Sequence, residues 1–123
     1  MTLYFDADSL GAYCRAALST AELGCVFHRQ IREKRLTGDP ASQWREQFRQ
    51  DVRNGVWLLF PVSDILLDRV EALVGGLAPE VYLRAGDAIH LTSARDAGFS
   101  EIWSNHRRLL AAAPHFGLRG RSV

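Results

Sequence analysis

The sequence predicts an α/β fold, in which a small parallel sheet is flanked by helices. Three short apolar segments, TLYFD, VWLLFP and EIWS, have the length and composition of buried strands. Segments with helical spacing separate them, and strands that alternate with helices are typical of parallel sheets. Ligands gather at the carboxyl ends of such strands, and here Asp6 ends the first segment while SNHRR follows the third.

Helix start and stop signals define the segments between the strands. Ser19 and Glu22 have the spacing of a capping box, which predicts that a helix begins near Ser19. The predicted helices are STAELGCVFHRQIREKRL, GDPASQWREQFRQDVRNG with Asp39 as N-cap and a stop at Gly55, SDILLDRVEALVGG starting at Ser63, EVYLRAGDAIHLTSARDAG and HRRLLAAA. The chain shows no internal repeat and no linker, so we expect one domain over residues 1–123.

Composition limits the classes of protein to consider. Apolar residues make up 47% of the 123 residues and charged residues 24%, as in an ordinary globular domain. There is no run of 18 apolar residues and no basic N-terminal region ahead of an apolar one, so we expect neither a membrane span nor a signal peptide. Cys14 and Cys25 have no C-x-x-C spacing and are expected to be small buried residues. These features predict a cytoplasmic protein.

The net charge of +1 does not by itself predict binding to nucleic acid. Among the 15 basic residues, however, Lys34 is the single lysine. The arginines recur in HRQIREKR, HRR and LRGR. A guanidinium group suits bidentate recognition of phosphate, although richness in arginine can also reflect codon usage.

Four segments, LYFDADSLGAY, STAEL, RAGDAIHLTSARDAG and IWSNHRRLLAAA, follow one another along the chain. Together they resemble the conserved blocks of the PIN domain, especially the short ribonucleases that are the toxins of VapBC toxin–antitoxin pairs. Asp6 takes the position of the first aspartate of that family, Glu22 that of its glutamate, and DAIHL at residues 87–91 matches the third block throughout. The resemblance covers residues 3–113 and implies a three-layer PIN-like domain.

The first two blocks are closer together than in that family, which implies that one strand–helix unit is missing. Glu22 can still meet Asp6 if SLGAYCRAAL is a loop along the top of the sheet and a new helix begins at Ser19. The alternative is one continuous helix over residues 9–35, which would carry Glu22 roughly 20 Å away. The capping signature favours the loop.

The resemblance implies a ribonuclease that holds Mg²⁺ or Mn²⁺ among acidic side chains and uses it to activate water against an RNA phosphodiester. It makes Asp6, Asp87 and Glu22 the expected catalytic and metal-binding residues. His106 stands where the family has a further aspartate, and imidazole in place of carboxylate favours manganese. Asp8 can restore the lost charge, because residues i and i+2 of an extended segment point to the same side. Asp8 and His106 are therefore expected at the rim of the metal site.

The basic residues near these acids are the expected RNA contacts. They are Arg84, Arg107 and Arg108, with Ser104 and Asn105 as supporting residues. The resemblance also implies a homodimer and a VapB-like antitoxin whose tail enters the acidic pocket.

Other interpretations of the same residues remain open. Glu22 can merely close its capping box, Asp87 can form a structural ion pair with Arg84, and His90 is expected to be a hydrogen-bonded core residue. A PIN fold that no longer cuts, and instead binds RNA or a protein, is the alternative function. The D-x-D of FDADSLG also begins haloacid dehalogenase-type phosphatases, but the late lysine of that family is missing here.

Overall fold

The computed structural model describes the backbone of residues 3–5, 13–16 and 18–122 and the side chains of residues 19–122. Over these ranges the chain is an α/β protein. Its strands are β1 (Leu3–Phe5), β2 (Tyr13–Ala16), β3 (Trp57–Phe60), β4 (Glu101–Ser104) and β5 (Arg119–Ser122). Its helices are α1 (Leu18–Arg32), α2 (Gly38–Arg53), α3 (Asp64–Gly75), α4 (Ala85–Asp96) and α5 (Arg107–Ala112), followed by a 3-10 turn, Ala113–Phe116. None of the helices so described is both long and apolar enough to cross a membrane.

The strands form one mixed sheet in the order β3-β2-β1-β4-β5. The pairs β2–β3 and β4–β5 are parallel, whereas β1 is antiparallel to both of its neighbours. The prediction of a parallel sheet is therefore wrong for β1. Only residues 6–12 join β1 to β2, and a parallel connection needs about a dozen residues or more, so an antiparallel pairing is the one that so short a connection allows.

The strands β2 and β5 were not predicted. Tyr13–Ala16 lies in the segment expected to be a loop or part of a continuous helix over residues 9–35, and its extended backbone excludes that helix. Arg119–Ser122 has the sequence RGRS, which lacks the apolar pattern of a strand. It is extended because it pairs with β4 in parallel, with Ile102 opposite Gly120. Both strands depend on pairing partners that lie far away in sequence.

The start of α1 differs from the predicted capping box. The helix begins at Leu18, so Ser19 lies inside its first turn, where it is fully buried. Within the described part of the chain the Ser19 hydroxyl has no hydrogen-bond partner, and the Glu22 carboxylate binds His90 instead. Helix α2 likewise has Thr37 rather than Asp39 as its N-cap, although Asp39 lies in the first turn. The presence of α1 and α2 was thus predicted correctly, whereas their N-caps were not.

Helix α3 begins as predicted, because the Ser63 hydroxyl accepts a hydrogen bond from the Leu66 amide at 3.2 Å. Helix α4 is shorter than predicted and begins at Ala85 rather than near Glu80. In the segment before it, Val81 and Leu83 are half-buried against the core, whereas Tyr82 and Arg84 are exposed. This alternation is that of an extended segment, so residues 81–84 run along the core before the helix starts.

The buried core lies among α4, β4, α5 and the turns that follow. Its largest apolar members are Leu91, Ile102, Leu109, Phe116 and Leu118. Burial of such side chains is worth about 1.5–3 kcal/mol each. Helix α4 contributes a continuous buried stretch over residues 90–94, which fixes its first turn relative to the end of β4. The fold thereby brings the segments RAGDAIHL and SNHRR together.

Candidate functional site

Asp87 lies in the first turn of α4. The longer helix predicted from the sequence had placed it several residues further from the helix start. The Asp87 side chain is 15% exposed. The amide groups at a helix N-terminus carry partial positive charge, which favours a carboxylate in the first turn. This position supplies a structural reason for a largely buried acid at residue 87.

The imidazole of His106 faces Asp87. Its Nδ1 atom lies 3.6 Å from Asp87 Oδ1, which is a close approach but longer than a normal hydrogen bond. His106 is the N-cap residue of α5, and its amide donates to the hydroxyl of the buried Ser104 at 3.1 Å. The end of β4 therefore holds His106 next to the first turn of α4, and the supporting role of Ser104 stays a prediction.

Asp87 and His106 open into a cleft of about 450 Å³. The cleft is lined by Arg84, Gly86, Asp87, His106, Arg107 and Arg108. The three arginines that were expected to contact RNA thus line the same cleft as Asp87. Guanidinium groups bind phosphate oxygens with charge-assisted hydrogen bonds, and the N-terminus of α4 adds to the positive potential. The cleft is suited to an anionic ligand such as a phosphodiester.

Arg84 does not form the ion pair with Asp87 that was left open as an alternative interpretation. No such pair is present among the described side chains, and the Nε atom of Arg84 instead donates to the hydroxyl of Tyr82 at 3.4 Å. This bond raises the pKa of Arg84 and lowers the pKa of Tyr82, whose phenolate is stabilised further by the charge of Arg108. In the described structure, Asp87 accordingly approaches the imidazole of His106 rather than the guanidinium group of Arg84.

Tyr82, which was not predicted from the sequence, contacts two of the arginines that line the cleft. The Arg108 guanidinium lies over its ring, with Cζ 3.7 Å from the ring centroid. This is a cation–π contact at short range. Residues 82 and 84 point to the same side of an extended segment, so their spacing predicts this contact only if residues 81–84 are recognised as extended rather than helical.

Glu22 reaches α4 from α1, although it does not close a capping box. His90 Nε2 donates to Glu22 Oε1 at 2.5 Å, and the histidine is 2% exposed. The prediction that His90 is a hydrogen-bonded core residue is therefore confirmed. His90 lies three residues after Asp87 on α4. The Glu22 carboxylate therefore contacts α4 about one helical turn away from Asp87.

The donor set for a metal ion is incomplete in the described part of the chain. No three His, Cys, Asp or Glu side chains among residues 19–122 lie close enough to hold an ion. Asp6 and Asp8, the other predicted ligands, fall outside the described residues. The structure therefore provides Asp87 and Glu22 as separate acids, and a metal site at Asp87 requires ligands from elsewhere.

The direction of β1 decides whether its carboxyl end lies near the carboxyl end of β4, as the sequence predicted. Phe5, the last residue of β1, pairs with Glu101 at the start of β4, whereas the cleft adjoins the other end of β4 at Ser104. Because β1 is antiparallel to β4, the carboxyl ends of these two adjacent strands lie at opposite ends of the sheet. The expectation that both predicted segments meet at one end of the sheet is therefore wrong.

Two further predictions concern residues with no part in the cleft. Asn105 is exposed in the turn between β4 and α5 and does not line the cleft. Cys25 was expected to be buried, but its thiol is free and exposed on α1. The side chain of Cys14 lies outside the described residues.

The fold and the cleft define a small α/β protein that presents an acid, an imidazole and three guanidinium groups in one depression. Comparison with family models, with characterised proteins and with solved structures gave no match.

Proposed function

We propose that the protein is a metal-dependent endoribonuclease of the PIN type, which hydrolyses an RNA phosphodiester at the Asp87 cleft. One observation carries this proposal: Asp87 is largely buried at the first turn of α4, in a cleft lined by Arg84, Arg107 and Arg108. An acid in such a place can bind a divalent cation, while the surrounding guanidinium groups bind phosphate. The sequence resemblance in four ordered blocks supports the same activity.

The residues of the cleft have distinct roles in this proposal. Arg84, Arg107 and Arg108 bind and orient the phosphate backbone. Asp87 and the rim residue His106 would hold Mg²⁺ or Mn²⁺ at the cleft, whereas the roles of Asp6, Asp8 and Glu22 as further ligands rest on the sequence resemblance alone. A bound ion of this kind lowers the pKa of water and neutralises charge on the phosphoryl oxygens.

The resemblance extends the proposal to the toxin of a VapBC-type pair, acting in the cytoplasm as a homodimer and silenced by an antitoxin. Large apolar side chains that are exposed to solvent support a protein partner. Trp44 on α2 is 61% exposed, and Leu58 on the edge strand β3 is 48% exposed. Aromatic and apolar side chains of this size are enriched in protein interfaces.

A PIN-like protein that binds RNA or a protein without cutting is the second candidate. Two observations favour it. The Glu22 carboxylate is engaged by His90 at 2.5 Å, and no group of three potential metal ligands occurs among residues 19–122. In this alternative, the cleft retains its arginines for phosphate binding and Asp87 has no catalytic role.

An RNA cleavage assay separates the two candidates. Labelled single-stranded RNA is incubated with the protein in Mn²⁺, in Mg²⁺ and in EDTA. We expect metal-dependent cleavage that Asp87→Asn reduces by about 100-fold or more, since losing a ligand costs at least as much as losing a supporting contact. The matched control is Asp64→Asn, because Asp64 is an exposed acid in the first turn of α3.

The same variants show which candidate fails. If the protein binds RNA but cuts it in neither metal, and Asp87→Asn binds RNA more tightly because a repelling charge is gone, the binding function replaces the nuclease. If RNA is neither bound nor cut, both candidates are wrong.

A further inference from the structure

We propose that Tyr82 is a positioning residue that orients Arg84 and Arg108 for phosphate binding in the Asp87 cleft. The inference rests on the proposed function, in which RNA phosphate occupies this cleft. Tyr82 does not line the cleft, whereas both arginines do. It therefore acts through the two guanidinium groups and not by contact with the RNA.

Two different parts of the Tyr82 side chain hold the two arginines. Its hydroxyl accepts from Nε of Arg84 at 3.4 Å, and its ring lies under the Arg108 guanidinium, 3.7 Å from Cζ to the ring centroid. Arg84 precedes α4 and Arg108 belongs to α5, so one side chain ties together cationic groups from two separate elements. The contact to Arg84 uses Nε alone, which leaves the terminal guanidinium nitrogens out of that bond.

The physical benefit is pre-organisation. An exposed arginine has many rotamers, and fixing it on a ligand costs conformational entropy. A tyrosine that already restricts two guanidinium groups lowers this cost before RNA arrives. Tyr82 makes both contacts although it is itself 51% exposed. Two arginines held together also repel each other, and the negative face of the aromatic ring reduces that repulsion.

A positioning role makes a specific prediction about combined variants. RNA affinity is measured by fluorescence anisotropy in EDTA, with the full chain and a labelled single-stranded RNA. We expect Tyr82→Phe to weaken binding about threefold, since it removes the acceptor for Arg84 but keeps the ring beneath Arg108, and Tyr82→Leu to weaken it further by also removing the ring. The double variant Tyr82→Phe/Arg84→Ala should bind no more weakly than Arg84→Ala alone, because the hydroxyl acts through Arg84.

The matched control is Arg107→Ala. Arg107 lines the same cleft but has no contact with Tyr82 among the described interactions, so its effect should add in full to that of Tyr82→Phe. Each arginine lost should also reduce the slope of log affinity against log salt by about 1. A purely structural role for Tyr82 would instead give losses that add to every arginine variant alike, which would overturn the proposal.

A spectroscopic measurement tests the contact itself. Phenolate absorbance is followed as pH rises, and Tyr82→Phe identifies the Tyr82 signal among the three tyrosines. The bond from Arg84 lowers the pKa of Tyr82, so Arg84→Ala should shift its titration to higher pH. An unchanged titration, or RNA binding that is unaltered by Tyr82→Leu while Arg84→Ala weakens it, would refute the positioning role alone. If none of the three arginine variants changes RNA affinity, the proposed function itself fails, and the inference fails with it.

Discussion

The carboxylate of Glu22 on α1 accepts a hydrogen bond from the buried His90 of α4 at 2.5 Å. This bond joins two helices that are far apart in sequence, and it occupies an acid that the sequence resemblance would assign to a metal ion. Buried polar groups are costly when they lose a partner, so the bond contributes to the fold as well as restricting Glu22. The nuclease hypothesis assigns this carboxylate to a metal ion, whereas the binding hypothesis does not need it as a ligand. The bond to His90 therefore separates the two hypotheses most clearly.

Replacement of Glu22 should therefore affect stability. We expect Glu22→Ala to lower the free energy of unfolding by about 1–3 kcal/mol, because His90 Nε2 loses this acceptor. Glu22→Gln should cost less, since an amide oxygen can still accept from His90. Urea unfolding measures both. The control is Glu33→Ala, which removes a solvent-exposed ion pair with Arg35 and should cost less than about 1 kcal/mol. Equal effects at residues 22 and 33 would show that the His90 bond contributes nothing.

Local sequence signals predicted those elements whose formation depends on nearby residues. Strands β3 and β4 are apolar runs with clear ends, and α3 starts at the Ser63 cap as expected. The direction of β1 and the existence of β2 and β5 depend instead on which segments pair in the sheet. Propensity and periodicity contain little of that information, because strand pairing is a tertiary interaction.

The candidate site was predicted to a similar extent. The arginines of the cleft and the proximity of His106 to Asp87 follow from two segments that the sequence already singled out. The partner of Glu22 could not be found, because the capping-box pattern offered a local explanation for the same acid. Tyr82 was missed because it was assigned to a helix, in which Tyr82 and Arg84 would not face each other.

Gly120 on β5 allows the last strand to pack closely against α5. A Cβ atom at this position would lie 3.0 Å from the backbone oxygen of Leu110 and 3.2 Å from its Cδ2 atom. We expect Gly120→Ala to destabilise the protein by about 1–3 kcal/mol through this overpacking. Gly24→Ala is the matched control, because nothing lies within 4 Å of a Cβ there and the residue is inside α1. That change should stabilise by about 0.5–1 kcal/mol. Thermal unfolding of both variants tests the opposite signs.

The stability of the protein should depend on pH through Glu46. Its Oε1 atom accepts from Nη2 of Arg53 at 2.8 Å, and this bond lowers the pKa of Glu46 from its ordinary value of 4.5. A carboxyl group whose pKa is lower in the folded state contributes stability above the unfolded pKa, and the contribution is lost as pH falls through the folded pKa. The stability difference between wild type and Glu46→Gln should therefore be largest above pH 4.5 and shrink below it. Urea unfolding across this range tests the trend, with Glu71→Gln on α3 as control; a difference that grows on acidification would contradict it.

The identity of residue 106 offers a direct test of metal binding at the cleft. His106 Nδ1 lies 3.6 Å from Asp87 Oδ1, so His106→Asp would place a second carboxylate near the first. Without a cation the two acids repel and the variant should be less stable than His106→Asn. A divalent ion relieves that repulsion and prefers oxygen ligands. Under saturating Mn²⁺ we expect His106→Asp to gain at least about 1 kcal/mol more stability than His106→Asn, which corresponds to about fivefold tighter binding.

Thermal unfolding in Mn²⁺ and in EDTA measures this difference, and Asp87→Asn in the His106→Asp background should abolish it. Because both residue-106 variants remove the imidazole, the comparison isolates the added carboxylate from the loss of His106. The gain must also depend on Asp87 if the ion binds in the cleft and not at another acidic surface. Identical Mn²⁺ shifts in His106→Asp and His106→Asn would mean that the first turn of α4 and the start of α5 cannot share a cation, and the nuclease mechanism would lose its metal site.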